Sequence, residues 1–163
     1  MNRTNYQNRA ACEKDVDEIM SIVNQAYSIE HGSTGLAFKC APRYSCNEEC
    51  LMDIEHTVVG TLQQKIVCSG KAVVDEATDV VEIGPIAVDP KHQGKGYGRL
   101  LLEKLEGLAT HQQLQCVSCR TDILVIYQRR NYTITKTLPI TDYIPKNALT
   151  RTDLQMHTMK KCQ

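Results

Sequence analysis

Three glycines alternate with other residues at Gly94, Gly96 and Gly98, and an amphipathic run follows them at once. Glycine reaches dihedrals closed to other residues and lets a ligand approach the main chain closely. The N–H groups of such a loop, with those of the first helical turn, lack intrahelical acceptors and sit at the positive end of the helix dipole. Together they make an anion site of a size to take a pyrophosphate. The spacing Gly-x-Gly-x-Gly is not the Gly-x-Gly-x-x-Gly of dinucleotide-binding folds, and no Gly-Lys-Ser/Thr of a Walker loop is present. The plain alternative is a flexible loop ahead of a helix. Upstream, Gly84-Pro85 lies inside the apolar run Val80–Val88. Pro cannot donate to a strand ladder, so the pair argues for a bulge.

Eight cysteines, at positions 12, 40, 46, 50, 68, 116, 119 and 162, offer a second chemistry. Nothing in the sequence indicates secretion, so a disulfide framework is not expected. Cys116-Val-Ser-Cys119 has metal-knuckle or redox spacing, but it sits in a strand-like run where residues three apart point to opposite faces. Cys46 and Cys50 are one helical turn apart with no flanking His-rich or Cys-rich segment to complete a metal site. Buried structural thiols are the preferred reading, and no metal is expected.

The elements that must carry these groups can be read from periodicity. Val16, Ile19, Met20, Val23, Ala26 and Tyr27 form one helical stripe, with Glu13, Asp15, Asp17 and Glu18 at its dipole-favoured start. Residues 4–11 fit a short edge strand, and residues 31–44, with two Gly and a Pro, read as a loop. Ser45 followed by Glu48 has the form of a capping box opening a short helix to about Ile54. Strands are expected over Thr57–Leu62, Ile66–Val74 and Val80–Val88, joined by polar turns, hence an antiparallel meander. After the glycine loop, Leu101, Leu105 and Leu108 carry a helical stripe with Leu102 and Ala109 alongside. A strand over 114–119, a helix over Ile123–Arg130 and strands over Tyr132–Lys136 and Leu154–Lys161 complete one mixed α/β domain spanning residues 1–163.

Composition narrows the function classes. At 163 residues and 42% apolar content the chain can bury a substantial core, built from Ile, Val, Leu and Met because aromatics are only 5%. The net charge is zero but uneven: residues 1–92 carry 8 basic and 14 acidic side chains, and residues 129–163 carry 7 and 2. The acidic part reads as a solvated face, with attraction of a cationic substrate as the alternative. No basic run suited to a phosphate backbone is present, so nucleic acid is not an expected partner. Apolar stretches fall far short of the ~20 residues of a membrane span, and the N-terminus lacks a signal-peptide core. A cytoplasmic protein, alone or as a homodimer, is the expectation.

Gln93-Gly94-Lys95-Gly96-Tyr97-Gly98 resembles the Gln/Arg-x-x-Gly-x-Gly/Ala motif of the GNAT superfamily of acyl-CoA-dependent N-acyltransferases. The strand Glu82-Ile83-Gly84-Pro85-Ile86-Ala87-Val88 is similar to that family's central strand. Arg120-Thr121-Asp122 and Tyr127-Gln128-Arg129-Arg130-Asn131-Tyr132 resemble its tyrosine-bearing segment, and Tyr27–Glu30 and Arg43 match less specifically. The likeness runs from about Val16 to Tyr132. Asn131 stands where the family usually has Gly, and Asn is the commonest substitute in the left-handed region. Arg120 stands where many members carry Asn.

The resemblance implies a mostly antiparallel central sheet with a splayed strand pair, flanked by helices, and a core for the acyl-CoA over about residues 80–132. It implies that acetyl-CoA, the acyl donor, lies against Ile86, Ala87 and Val88, with its pyrophosphate on Gln93, Gly94, Lys95, Gly96, Tyr97 and Gly98. Tyr127 is then the general acid for the departing thiolate, and Glu82 the base, with a water chain as the alternative. Glu30 and Arg43 lie where the acceptor, an amine of a small molecule or peptide, enters; a structural ion pair is the other reading of them. A non-catalytic CoA-binding module of the same fold is the competing function.

Overall fold

The computed structural model describes residues 5–33, 43–109, 112–118, 121–143 and 154–161. Among the described residues seven strands make one sheet: β1 (Tyr6–Ala10), β2 (Thr57–Leu62), β3 (Lys65–Asp75), β4 (Val80–Val88), β5 (Gln113–Ser118), β6 (Thr133–Pro139) and β7 (Gln155–Lys161). The α-helices among the described residues are α1 (Val16–Ser33), α2 (Asn47–Met52), α3 (Tyr97–Glu106) and α4 (Thr121–Gln128). The strand order is β1-β2-β3-β4-β5-β7-β6, and only the β4–β5 pair is parallel. This is the mixed, mostly antiparallel α/β fold expected.

Period-two alternation distributes the strand residues between two cores. Val58, Val67, Val81, Ile83, Leu114 and Cys116 face α3 and α4, meeting Leu101, Leu102 and Leu105. Val59, Ile66 and Ala87 face α1, meeting Val16, Ile19, Ile22 and Val23. The middle strands are covered on both sides, so β2 and β3 read as nearly continuous apolar runs rather than alternating ones.

The start of α1 is fastened to the edge strand. Arg9 grips Asp15 with both guanidinium arms, at 2.6 and 2.8 Å, and Cys12 N donates to Asp15 Oδ2 at 2.9 Å. The hydrogen bonds from Arg9 outweigh burial and hold the Asp15 carboxyl at about 2. Glu18 extends the tie by accepting from Ile66 N at 3.1 Å.

Several local expectations shift. The first helix continues to Ser33, past the stripe that announces it. The second begins at Asn47 behind Cys46, and Ser45 bonds Glu49 through both its N and its Oγ, not Glu48. Leu108 is 51% exposed, because α3 stops at Glu106 and the continuation turns it outward, whereas Ala109 is buried. The polar connection after β2 shrinks to Gln63-Gln64, both at positive φ, as a two-residue hairpin turn demands. The final strand, expected over Leu154–Lys161, spans Gln155–Lys161 and lies between β5 and β6. No helix among the described residues is long and apolar enough to cross a membrane.

Behind the sheet, a cluster of charges ties α3, the turn after α4 and β7 together. Glu106, 6% exposed, accepts from Arg130 Nη2 at 2.5 Å and Nε at 3.1 Å, with Lys161 Nζ at 3.4 Å. Arg130 also reaches Glu103 at 3.2 Å. Burial pushes the Glu106 carboxyl up, but the bonds and charges of Arg130 and Lys161 outweigh it and hold it below the ordinary range. A group depressed in this way stabilises the fold above its unfolded pKa and ceases to as pH falls through the folded value. Glu106→Gln should therefore destabilise by ~3 kcal/mol at neutral pH, the low end for a broken buried pair because Arg130 and Lys161 can turn toward water. Urea titrations from pH 7 down to pH 3 check this: the gap between wild type and variant should narrow below about pH 4.5.

Candidate active site

The site begins where β4 and β5 part. They pair only through Val80↔Gln113, Val81↔Leu114 and Glu82↔Gln115, although β4 runs on to Val88 and β5 to Ser118. The cause lies in β4. Between Ile83 and Ile86 it takes three steps while β3 takes two, from Ala72 to Gly70, so Gly84-Pro85 forms a bulge. The two are joined by a cis peptide bond, and Gly84 sits at φ 134°, where a side chain would be strained. Pro85 has no N–H to offer β5.

Beyond the bulge, β4 presents an open edge. Asp89 N donates to Val67 O at 2.9 Å, so by alternation Ala87 also faces β3, while Ile86 and Val88 turn their backbone groups to the unpaired side. One of those groups, Val88 O, accepts from Gln93 Nε2 at 3.2 Å, which ties the following loop to the strand.

The loop is built by short-range bonds. Asp89 accepts from Lys91 N at 2.9 Å and contacts His92 Nδ1 at 3.1 Å, shaping the single turn Pro90–His92. Lys95 Nζ folds back onto Lys91 O at 2.9 Å. Gly96 takes the left-handed conformation, φ 83° and ψ 7°, and Leu100 N closes the first turn of α3 on its carbonyl. The amides of the first helical positions are thereby left aimed outward, beside the end of the open edge. Tyr97 is buried, stacked on Tyr6 with ring centroids 5.2 Å apart, and so packs the loop against β1 instead of presenting its ring outward.

Tyr127 approaches the fork from the α4 side. It is 7% exposed, packs edge-on against Tyr132 at 5.1 Å, and has its hydroxyl near the Cys116 thiol. Burial raises its phenol well above the ordinary value, and Cys116, Tyr27 and Glu106 add to the effect. It is protonated across the physiological range. Asn131, which closes the turn after α4, sits at φ 68°, the left-handed conformation expected of a Gly substitute.

Glu82 approaches from the opposite face. Its neighbours Val81 and Ile83 are buried against α3, so Glu82 itself is exposed on the α1 side, in line with Gln115. Cys116, the next residue of β5, faces α3 and α4: burial pushes its thiol up to about 12, with Glu106 and Glu82 both contributing to the rise. A thiol so protonated is a poor nucleophile. In the sequence Cys116 reads as a structural thiol, with nothing to place it at the fork. A strand cysteine carries no signal for that.

Arg43 lies with its guanidinium 5.7 Å from the Tyr27 ring centroid, and Asn24 pins the adjacent Tyr44 by two backbone bonds of 2.9 Å. The structure thus brings Arg43 to α1; the Glu30 side chain lies outside the described residues, as do Arg120 and Cys119. Cys50, Cys68 and Cys116 are buried, while Cys12 and Cys46 are exposed. Among the described residues no group of His, Cys, Asp and Glu could hold a metal ion.

The family model for the acetyltransferase (GNAT) family matches residues 16–131. The chain belongs to the GNAT acetyltransferases. Solved structures share this GNAT fold at low identity. A phosphinothricin acetyltransferase from Sinorhizobium meliloti, in complex with AcCoA, is 18% identical with a TM-score of 0.75, covering 98% of this chain and 89% of that one. The ribosomal-protein-S18-alanine N-acetyltransferase from Escherichia coli is 18% identical with a TM-score of 0.71, covering 96% and 93%. A polyamine N-acetyltransferase from Drosophila melanogaster is 14% identical with a TM-score of 0.71, covering 98% and 100%. No curated protein matches the chain in sequence.

Proposed function

We propose that this GNAT protein transfers the acetyl group of acetyl-CoA directly to a primary amine of a small molecule or peptide. The observation that carries the reading is the fork itself: an open strand edge runs from Glu82 to the glycine loop, with Tyr127 behind it. The backbone groups of Ile86 and Val88 suit a pantetheine arm added like a strand. The amides of residues 94–98, with Lys95 beside them, suit the pyrophosphate at its end. The acetyl thioester supplies an activated carbonyl at the mouth of the fork.

In the transfer, the amine nitrogen bonds to the acetyl carbon and the carbon–sulfur bond breaks. The amine proton leaves to Glu82, directly or through water, and Tyr127 supplies a proton to the sulfur. The two groups reach the gap from opposite faces of the sheet, so acid and base do not neutralise each other. An amine held as its ammonium cannot attack, which makes the base matter most at low pH.

The overall reading is tested by following thiol release from acetyl-CoA against a panel of amines. Glu82→Gln tests the base: it should lower the rate most at the acidic end of the profile and leave acetyl-CoA affinity nearly intact. An unaltered pH–rate profile would assign proton removal elsewhere.

A further inference from the structure

On the face opposite α3 and α4, an open groove of about 750 Å³ starts at Glu82 and crosses β5, β7 and β6. Strand register places its polar groups in rows. Glu82 is level with Gln115, and Gln115 with Lys160; in the next row Val117 is level with Thr158, and Thr158 with Lys136. At ordinary strand spacing, Glu82 and Lys160 are about 10 Å apart at Cα. Lys160 and Lys136 are diagonal neighbours on adjacent strands, about 7–8 Å apart.

Two features of the charges in this groove suit an anion. Among the described residues neither Lys136 nor Lys160 is in an ion pair, whereas Lys161, one residue on and facing the other side, is taken up by Glu106. Two like charges set as diagonal neighbours on one face also repel, and an anion between them relieves the repulsion. Hydroxyls lie beside them: Tyr143 Oη is 3.3 Å from Thr158 Oγ1, and either can turn a proton outward. The carboxylate end of the groove meets the fork, and the cationic end lies one strand beyond.

We propose that the groove selects an acceptor bearing an anionic group a few bonds from its amine, with the amine at Glu82 and the anion between Lys160 and Lys136. This rests on the acetyl-transfer reading above and adds the substrate class to it. A polycationic acceptor is disfavoured, because the groove carries one negative charge against two positive ones. A carboxylate and a phosphonate present the same chemistry to two lysines and neighbouring hydroxyls.

The test uses four matched amines: β-alanine, 2-aminoethylphosphonate, β-alaninamide and 1,3-diaminopropane. The acids should have higher kcat/KM than the amide and the diamine, and whichever acid leads names the anion. Lys160→Gln should lower the acid-to-amide ratio of kcat/KM about tenfold, and the Lys160→Gln, Lys136→Gln double variant should lower it further. Both side chains are solvent-accessible, so thermal unfolding should be little altered. Preference for the amide or diamine, or an unchanged ratio in the double variant, overturns the proposal while leaving acetyl transfer standing. Calorimetry of the two acids on the CoA-saturated protein separates the remaining cases. Acid binding that is lost in the double variant, without acetylation of any amine, sustains the groove and removes the transfer reading. Absence of both binding and acetylation removes both.

Discussion

Tyr127→Phe is expected to lower kcat by about 10²–10⁴-fold, the usual range for a general acid, with acetyl-CoA affinity nearly unchanged. The ring of Tyr127 is part of the core, packed edge-on against Tyr132, and Phe keeps that packing. Only the hydroxyl goes, and with it the contact to Cys116. The Cys116 thiol is a weak hydrogen-bonding group, so losing this partner leaves little unsatisfied. Folding stability should therefore change far less than turnover, and thermal unfolding checks that. The phenol is held above its ordinary value, so it keeps its proton wherever the protein is assayed. A phenol that stays protonated can donate a hydrogen bond to the sulfur as negative charge builds on it in the transition state. A stable Phe variant with wild-type kcat would remove Tyr127 from the chemistry, provided acyl transfer limits the rate. A poor amine acceptor, for which transfer is slow, makes that condition hold.

The second large effect is on binding. Gly96→Asp should weaken acetyl-CoA by about 100-fold or more, the worth of two charge-assisted hydrogen bonds. Gly96 is the residue before α3 and lies in the left-handed region. Asp visits that region more readily than most residues, at about 1–2 kcal/mol, so the variant should fold. Its carboxylate is also a favoured helix cap, and would bind the outward amides that the pyrophosphate needs. The negative charge then repels the pyrophosphate as well. Gly96→Asn isolates the charge: it carries the same backbone demand and nearly the same shape, so it should lose much less affinity than Asp. Calorimetry with acetyl-CoA measures both, and wild-type affinity in a folded Asp variant would place the pyrophosphate elsewhere.

Much of this architecture is legible in local patterns. The 3.6-residue stripe from Val16 to Tyr27 marks α1, and the apolar run ending at Asp89-Pro90 marks β4 with the bounds observed, Val80–Val88. Gly84-Pro85 announces a bulge because proline lacks an N–H, and the glycines at 94–98 announce the entry to a helix. Asn131 announces a left-handed turn. Each of these depends on one residue's own geometry or on neighbours within a turn or two of chain, so composition and spacing carry the information.

Other features depend on pairing between distant segments and leave no local trace. Nothing in Gln155–Lys161 says that it inserts between β5 and β6, yet that insertion brings Lys160 level with Gln115 and Glu82. The same insertion puts Lys161 on Glu106, on the opposite face. The pattern at Leu108 continues a helical stripe, but the chain leaves the helix two residues earlier and exposes it. Cys116 reads as any buried strand thiol until β4 and β5 diverge beside it. Local sequence therefore specifies the strands, the bulge and the glycine loop, since backbone sterics act within a few residues. Which carboxylate faces which lysine, and on which side of the sheet Tyr127 and Glu82 stand, follows from register. Register is set by burial of whole faces at once, and only the assembled sheet decides it.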